Sequence, residues 1–395
     1  MSKSIKYISV LFFLIHFQGG FSQSSISYTE SGLRQALNKA KTENKPVLLW
    51  CYAIWCPHCK TMKTEVFTNN TVADYFNKTF ICVSQDMEKG EGVDLNKELK
   101  ITSFPTFIFY NSDGTTIYRV EGELKSEAFI QEGRNALTPK KQLPNLKLQF
   151  EKNISNSTNC YEYLRALKKG GLDYTTVVQK YFATQSDRQL LSEINWRIIS
   201  NGITDLSSRE MQFVITHQNE FSTITSPERV KHKLDYLVKE LLYPLVESSD
   251  TVKYLASRIQ AAQIHSYSTD SLIFYFDIRI FQLTKSWNAY RETCLQSAKT
   301  FAWNNHTQLN EIAGNFLNHI TDARALSLAE GWAQHSLAID EEYDTYLLCS
   351  KLYQKLNSTK DAILMAKKAK NLSVKYGWEG VEAEKLLKKL ASQNK

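Results

Sequence analysis

Cys56 and Cys59, within Trp55-Cys56-Pro57-His58-Cys59-Lys60, are the residues of this chain best suited to chemistry. A thiolate can attack a disulfide, form a mixed disulfide and be displaced by a second thiol. The step needs two neighbouring sulfurs, the first of them easily ionised. A CxxC at a helix start supplies both. Free backbone N–H groups and the helix dipole favour an anion at the first cysteine, and the second lies one turn further on, partly covered. Cys56 is therefore expected as an exposed nucleophile and Cys59 as the resolving thiol. His58 stands between them. If protonated, it adds positive charge beside Cys56, which favours the thiolate and makes the disulfide more oxidising; otherwise it is a spacer. Trp55 is expected to pack beside the site. Lys60 either adds positive potential or is a solvated helix residue. A closed zinc site needs four ligands, and no second CxxC or HxxxH accompanies the pair. The only redox group called for is the Cys56–Cys59 disulfide, with no cofactor.

The elements around the motif must place it where a strand hands over to a helix. Val47-Leu48-Leu49-Trp50-Cys51-Tyr52 is a continuous apolar run that reads as a buried strand, and Lys60 to Val66 continues the helix begun at the CxxC. Around these lie a helix over Glu30–Thr42, a short helix over Val72–Phe76, a strand over Phe80–Gln85 and a helix over Asp94–Lys100. A strand over Thr106–Tyr110 follows. Asn111-Ser112-Asp113-Gly114 reads as a hairpin turn, because Asp-Gly tolerates positive φ. Thr115–Val120 then pairs back, and Ser126–Ala136 closes as a helix. Strands alternating with helices, plus one terminal hairpin, describe a mixed α/β sheet.

The length of 395 residues asks for more than one domain. Residues 1–22 read as a secretory signal. Lys3 and Lys6 precede an apolar run from Tyr7 to Phe17, and Gly20 and Ser22 fit a small-x-small cleavage site. The run is short of the ~20 apolar residues a membrane helix needs. The first cysteine is Cys51, so a lipid-anchored start is not expected. The chain is thus expected to be exported, periplasmic or extracellular, with no membrane span after signal cleavage. Residues 24–137 form the α/β domain. Residues 138–158, with Pro139, Pro144 and Asn153-Ile154-Ser155-Asn156-Ser157, read as a linker. Residues 159–395 read as all-α. The formal charge of +7 is spread without a basic, aromatic-interleaved block, which argues against nucleic acid. Cys51, Cys82, Cys160, Cys294 and Cys349 show no pairing pattern and read as buried apolar residues rather than a disulfide framework.

With Phe104-Pro105-Thr106 directly before a strand, residues 26–137 resemble the thioredoxin superfamily, in particular exported domains carrying W-C-x-x-C-K. The resemblance implies a thioredoxin-like fold and thiol–disulfide exchange. It implies a cis-proline at Pro105 opposite the disulfide, and substrate contacts from Trp55, Phe104 and Thr106. It also implies protein thiol or disulfide substrates and a partner that recharges the site. Pro57-His58 resembles the dipeptide of periplasmic thiol oxidases. Trp50 departs from the family, which places a buried carboxylate there to assist the second cysteine. The site is accordingly expected to accept electrons more readily than to serve as a general reductase.

Near the C-terminus Ala329, Ala333 and Ser336 recur 33 residues on as Ala362, Ala366 and Ala369. The second set follows the helix Tyr346–Tyr353 and the break at Asn357-Ser358. The pattern resembles tetratricopeptide repeats, although Tyr346 and Ser350 replace the consensus Trp and Gly. An irregular helical bundle is the alternative. Stacked helix pairs would offer a protein partner a concave surface. The competing functional reading is a non-catalytic scaffold in which the thioredoxin-like fold merely docks.

Overall fold

The computed structural model describes residues 25–29 and 32–393. The expected signal at 1–22 lies outside them. The chain divides into two compact units, one ending at Gly202 and the other running from Ile203.

The first unit is built on a five-stranded sheet: β1 Tyr28–Thr29, β2 Val47–Tyr52, β3 Ile81–Asp86, β4 Thr106–Tyr110 and β5 Thr116–Glu121. Their order across the sheet is β1-β3-β2-β4-β5. β3 runs parallel to β1 and β2, whereas β4 is antiparallel to both β2 and β5. Alternate side chains of β2 enter two different cores, which explains its unbroken apolar sequence. Val47, Leu49 and Cys51 pack with Ala36 and Ala40 of α1 (Gly32–Glu43) and with Leu95 and Leu99 of α4 (Gly92–Leu99). Leu48 and Trp50 pack on the other face. There they meet α2 (Pro57–Thr61), α3 (Asn70–Thr79) and α5 (Ser126–Ala136), through Cys59, Val72, Phe76 and Phe129. The turn at Asn111–Gly114 forms as expected. Gly114 has φ +89° and donates its N–H to the Asn111 carbonyl at 3.0 Å.

Residues 138–158 are not an irregular linker throughout. Pro139–Lys141 is a 3-10 turn and α6 spans Leu143–Lys152. Both prolines fall in a first turn, where the missing N–H has no intrahelical partner to lose. The compact unit also takes in helices beyond 159: α7 (Ser157–Lys169), α8 (Thr175–Phe182), α9 (Asp187–Leu190) and α10 (Glu193–Gly202). α6 and α7 pack against β5. Lys169 on α7 reaches Glu132 at 2.5 Å, and Glu132 accepts a 2.5 Å hydrogen bond from Tyr118 on β5. Gly171, at φ +60°, lets the chain run close past this strand, since a Cβ there would lie 2.0 Å from the Glu121 carboxylate.

Among its described residues the second unit is helical, from α11 (Arg209–Thr216) through α12 (Gln218–Ile224), α13 (Pro227–Glu247), α14 (Thr251–Ala262), α15 (Tyr267–Leu283), α16 (Trp287–Phe301), α17 (His306–His319), α18 (Ala323–Ile339), α19 (Tyr343–Lys355) and α20 (Thr359–Tyr376) to α21 (Val381–Gln393). Ala329, Ala333 and Ser336 on α18, and Ala362, Ala366 and Ala369 on α20, are all buried. α17 packs on α18, and α19 on α20. The expected break at Asn357-Ser358 separates α19 from α20, with Asn357 at φ +61°.

Candidate active site

β2 ends at Tyr52, and four residues later the chain turns into α2. The Cys56 N–H donates to the Ala53 carbonyl at 3.2 Å. Cys56 is the N-cap with φ −71° and ψ 114°, and Pro57 takes the first helical position, where its fixed φ suits the helix. The Cys56 sulfur accepts the backbone N–H of Cys59 at 3.1 Å. A sulfur thus occupies the capping place usually filled by a Ser or Asp oxygen. The helix continues as a π-helical turn over Met62–Val66.

On its other side the Cys56 thiol lies 3.6 Å from the carbonyl oxygen of Phe104. The Phe104–Pro105 bond is cis, as the sequence implied, and Pro105 is buried. Cys56 itself is only 3% exposed, not open as the helix-start reading expected. Its side chain turns inward between the Cys59 amide and the Phe104 carbonyl, leaving Ile54 and Trp55 outermost at 67% and 68% exposure. Cys56 and Cys59 are both buried, and neither is bonded to another cysteine. Burial, reinforced by the hydrogen bond with Cys56, pushes the Cys59 thiol up to about 12. The other five are structural. Burial pushes Cys82, Cys160 and Cys349 up to about 12 and Cys51 and Cys294 higher still.

The remaining sequence candidates fall into place unevenly. Trp55 stands edge-on to Phe104 at 6.1 Å and donates its indole N–H to Glu88 at 2.8 Å. Phe104 is partly exposed beside it. Thr106 is fully buried, and its hydroxyl donates to the Ser103 carbonyl at 2.7 Å, so its side chain offers nothing to a substrate. Its strand position fixes the loop that carries Phe104. Lys60 is exposed. His58 is largely exposed and its Nδ1 lies 2.8 Å from a carboxylate oxygen of Glu123. Neither Glu88 nor Glu123 stood out in the sequence, because each meets its partner only through a long-range contact. Ile54 was likewise missed.

Trp50 is 4% exposed and stacks on Tyr52 with centroids 4.5 Å apart. With Tyr28, Tyr52, Phe67, Cys59 and Lys60 it lines a cavity of about 570 Å³ behind the dithiol. None of the residues lining this cavity is acidic. The indole N–H of Trp50 and the hydroxyl of Tyr28 are buried there without hydrogen-bond partners. Among the described residues, the group placed to share a cation is His306, Asp340 and Glu342 in the second unit, and neither Cys56 nor Cys59 belongs to it.

Comparison with known proteins agrees with this geometry. A family model for a thioredoxin-like domain matches residues 33–137. The thiol:disulfide interchange protein DsbD of Yersinia enterocolitica is 32% identical over 106 residues, which are 26% of this chain and 18% of that protein. A putative protein disulfide-isomerase of Schizosaccharomyces pombe is 29% identical over 135 residues, 34% of this chain and 26% of that protein. The chain therefore spans about a fifth to a quarter of the length of these curated relatives. Among solved structures, a putative disulphide-isomerase from Bacteroides thetaiotaomicron is 35% identical. It covers 30% of this chain and 98% of its own, with a TM-score of 0.28. The family match, the mixed sheet and a CxxC facing a cis-proline coincide in one stretch of sequence: residues 33–137 are a domain of the thioredoxin superfamily, followed by a mostly helical C-terminal part.

Proposed function

We propose that the protein is an exported thiol–disulfide oxidoreductase that exchanges disulfides with protein substrates through Cys56 and Cys59. The observation that carries this reading is the Cys56 sulfur, held at a helix N-cap by the Cys59 amide at 3.1 Å and facing the Phe104 carbonyl at 3.6 Å. A thiolate formed there inherits a hydrogen-bond donor and the positive end of the helix. It attacks one sulfur of a substrate disulfide, giving a Cys56–substrate disulfide and expelling the other substrate sulfur as a thiolate. Cys59 then attacks Cys56, closing the intramolecular disulfide and releasing the second substrate thiol. Two electrons pass to the substrate; run backwards, they pass to the enzyme. Exposed Ile54 and Trp55 supply an apolar surface beside the sulfurs for a substrate segment.

The aromatic cavity in place of a family carboxylate leaves Cys59 without an acidic neighbour there to take its proton. That slows proton transfer at Cys59 in both directions; the preference for accepting electrons rests on His58, whose charge when protonated stabilises the Cys56 thiolate and so the dithiol, with a separate partner recharging the disulfide. Export rests on the N-terminal 22 residues, and among the described residues no helix is long and apolar enough to cross a membrane. In this reading the protein serves redox homeostasis outside the cytoplasm, and the paired helices of the second unit bind a protein partner in the manner of tetratricopeptide repeats.

A trapping experiment tests the exchange. The Cys59→Ser chain, expressed with its N-terminus intact, should accumulate mixed disulfides with exported proteins that a reductant releases and Cys56→Ser does not form. Should Cys59→Ser trap nothing, and the wild type neither reduce insulin nor oxidise a reduced protein, the non-catalytic scaffold would stand instead.

A further inference from the structure

Glu123 sits at the junction of the three segments that make the site. It follows β5 in Gly122-Glu123-Leu124, and both neighbours are tied to the catalytic frame. The Gly122 N–H donates to the carbonyl of Pro105 at 2.8 Å. The Leu124 N–H donates to the thioether sulfur of Met62, in the turn continuing the CxxC helix, at 3.3 Å. Gly122 has φ +94°, a conformation that lets the chain leave the strand at this point. Between these two anchors the Glu123 carboxylate meets Nδ1 of His58 at 2.8 Å. Met62 is fully buried, so the loop is held against a fixed part of the helix rather than a mobile one.

We propose that Glu123 is a positioning residue that holds His58 and thereby sets the redox equilibrium of the Cys56–Cys59 pair; this rests on the exchange function proposed above. The carboxylate claims Nδ1, which fixes the ring's orientation and turns Nε2 to the other side. When the imidazole is charged, the carboxylate also neutralises the charge that would otherwise act alone on the Cys56 thiolate. The site then has a counterweight: His58 favours the dithiol, and Glu123 restrains how far. Removing the carboxylate while keeping its shape frees the imidazole charge, favours the thiolate and drives the equilibrium towards dithiol.

The test is the equilibrium of full-length protein with glutathione, read by alkylation of the two thiols, for wild type, Glu123→Gln, His58→Gln and the double variant. Glu123→Gln is expected to raise the constant for reduction of the disulfide by about threefold to fivefold, the scale of a partly exposed charge pair. His58→Gln is expected to lower it. In the His58→Gln background the Glu123→Gln shift should largely vanish, because the carboxylate acts through the imidazole. Melting temperatures measured alongside show that each variant is folded. A wild type that equilibrates normally while Glu123→Gln matches it overturns the role of Glu123 alone. So does a Glu123→Gln shift that is undiminished without His58. A wild-type pair that never equilibrates with glutathione overturns the exchange function and this inference with it.

Discussion

Cys59 is buried, its thiol is pushed up to about 12, and no carboxylate lines the cavity behind it. Resolution of a mixed disulfide should therefore depend on the rare thiolate of Cys59. At pH 7 a thiol titrating at about 12 is ionised in only about one molecule in 10⁵, and that fraction grows tenfold with each pH unit. The perturbation is pH, applied to protein carrying a small coloured aromatic thiol on Cys56. That thiol leaves as a stable thiolate, so its release reports only the attack by Cys59. Capping Cys56 removes the hydrogen bond that is the second cause of the Cys59 shift. Burial, the largest cause, remains. The release rate, followed by stopped-flow absorbance, should rise about a hundredfold between pH 7 and 9 with no plateau. Cys59→Ser should show no release at all. A rate that levels off near pH 7 or 8 would refute the reasoning, since it would mean that Cys59 ionises easily or hands its proton to a base.

The structural thiols make a related prediction about stability. The folded values of Cys82, Cys160 and Cys349, at about 12, stand above the ordinary thiol value, so each binds its proton more tightly folded than unfolded. Their contribution is intact below about pH 8.5 and is lost as pH rises towards 12. Urea melts should show stability falling by about 1.4 kcal/mol per such thiol for each pH unit above about 8.5, and Cys82→Ala should flatten the fall. Phe129 is fully buried and stacks on Phe76 at 4.3 Å, so Phe129→Ala should cost about 3–5 kcal/mol in the same assay. In the second unit, Asp277 is 2% exposed, accepts from Arg258 at 2.7 and 2.9 Å and from Tyr254 at 2.6 Å. Asp277→Ala strands the partly buried guanidinium and should destabilise the chain by about 3–5 kcal/mol. A change below 1 kcal/mol, read by calorimetry or urea, would count against that buried network.

The sheet was legible because its signals are local. The two-sided burial of β2 is written in six apolar residues in a row, and the Asp-Gly turn declares its own backbone. The dithiol was legible for the same reason, since its N-cap geometry is a matter of four residues. α6 was hidden because prolines usually mark the end of structure, whereas here both stand in first turns. The resemblance put Thr106 among the substrate contacts; its side chain is buried and its hydroxyl closes its own loop, which no local signal in the sequence announces. The partners of Trp55 and His58 could not be read, because Glu88 and Glu123 arrive from other segments that only the folded sheet brings near.

The place of β2 in the sheet has a consequence for how the molecule breathes. A strand paired on both edges and packed on both faces has no way to open alone, so its amide protons exchange with solvent only when the surrounding unit unfolds. The reactive cysteines leave from the end of that strand. Substrate exchange there must proceed by motion of the exposed rim, of Trp55 and Ile54, over a floor that stays shut for the lifetime of the fold.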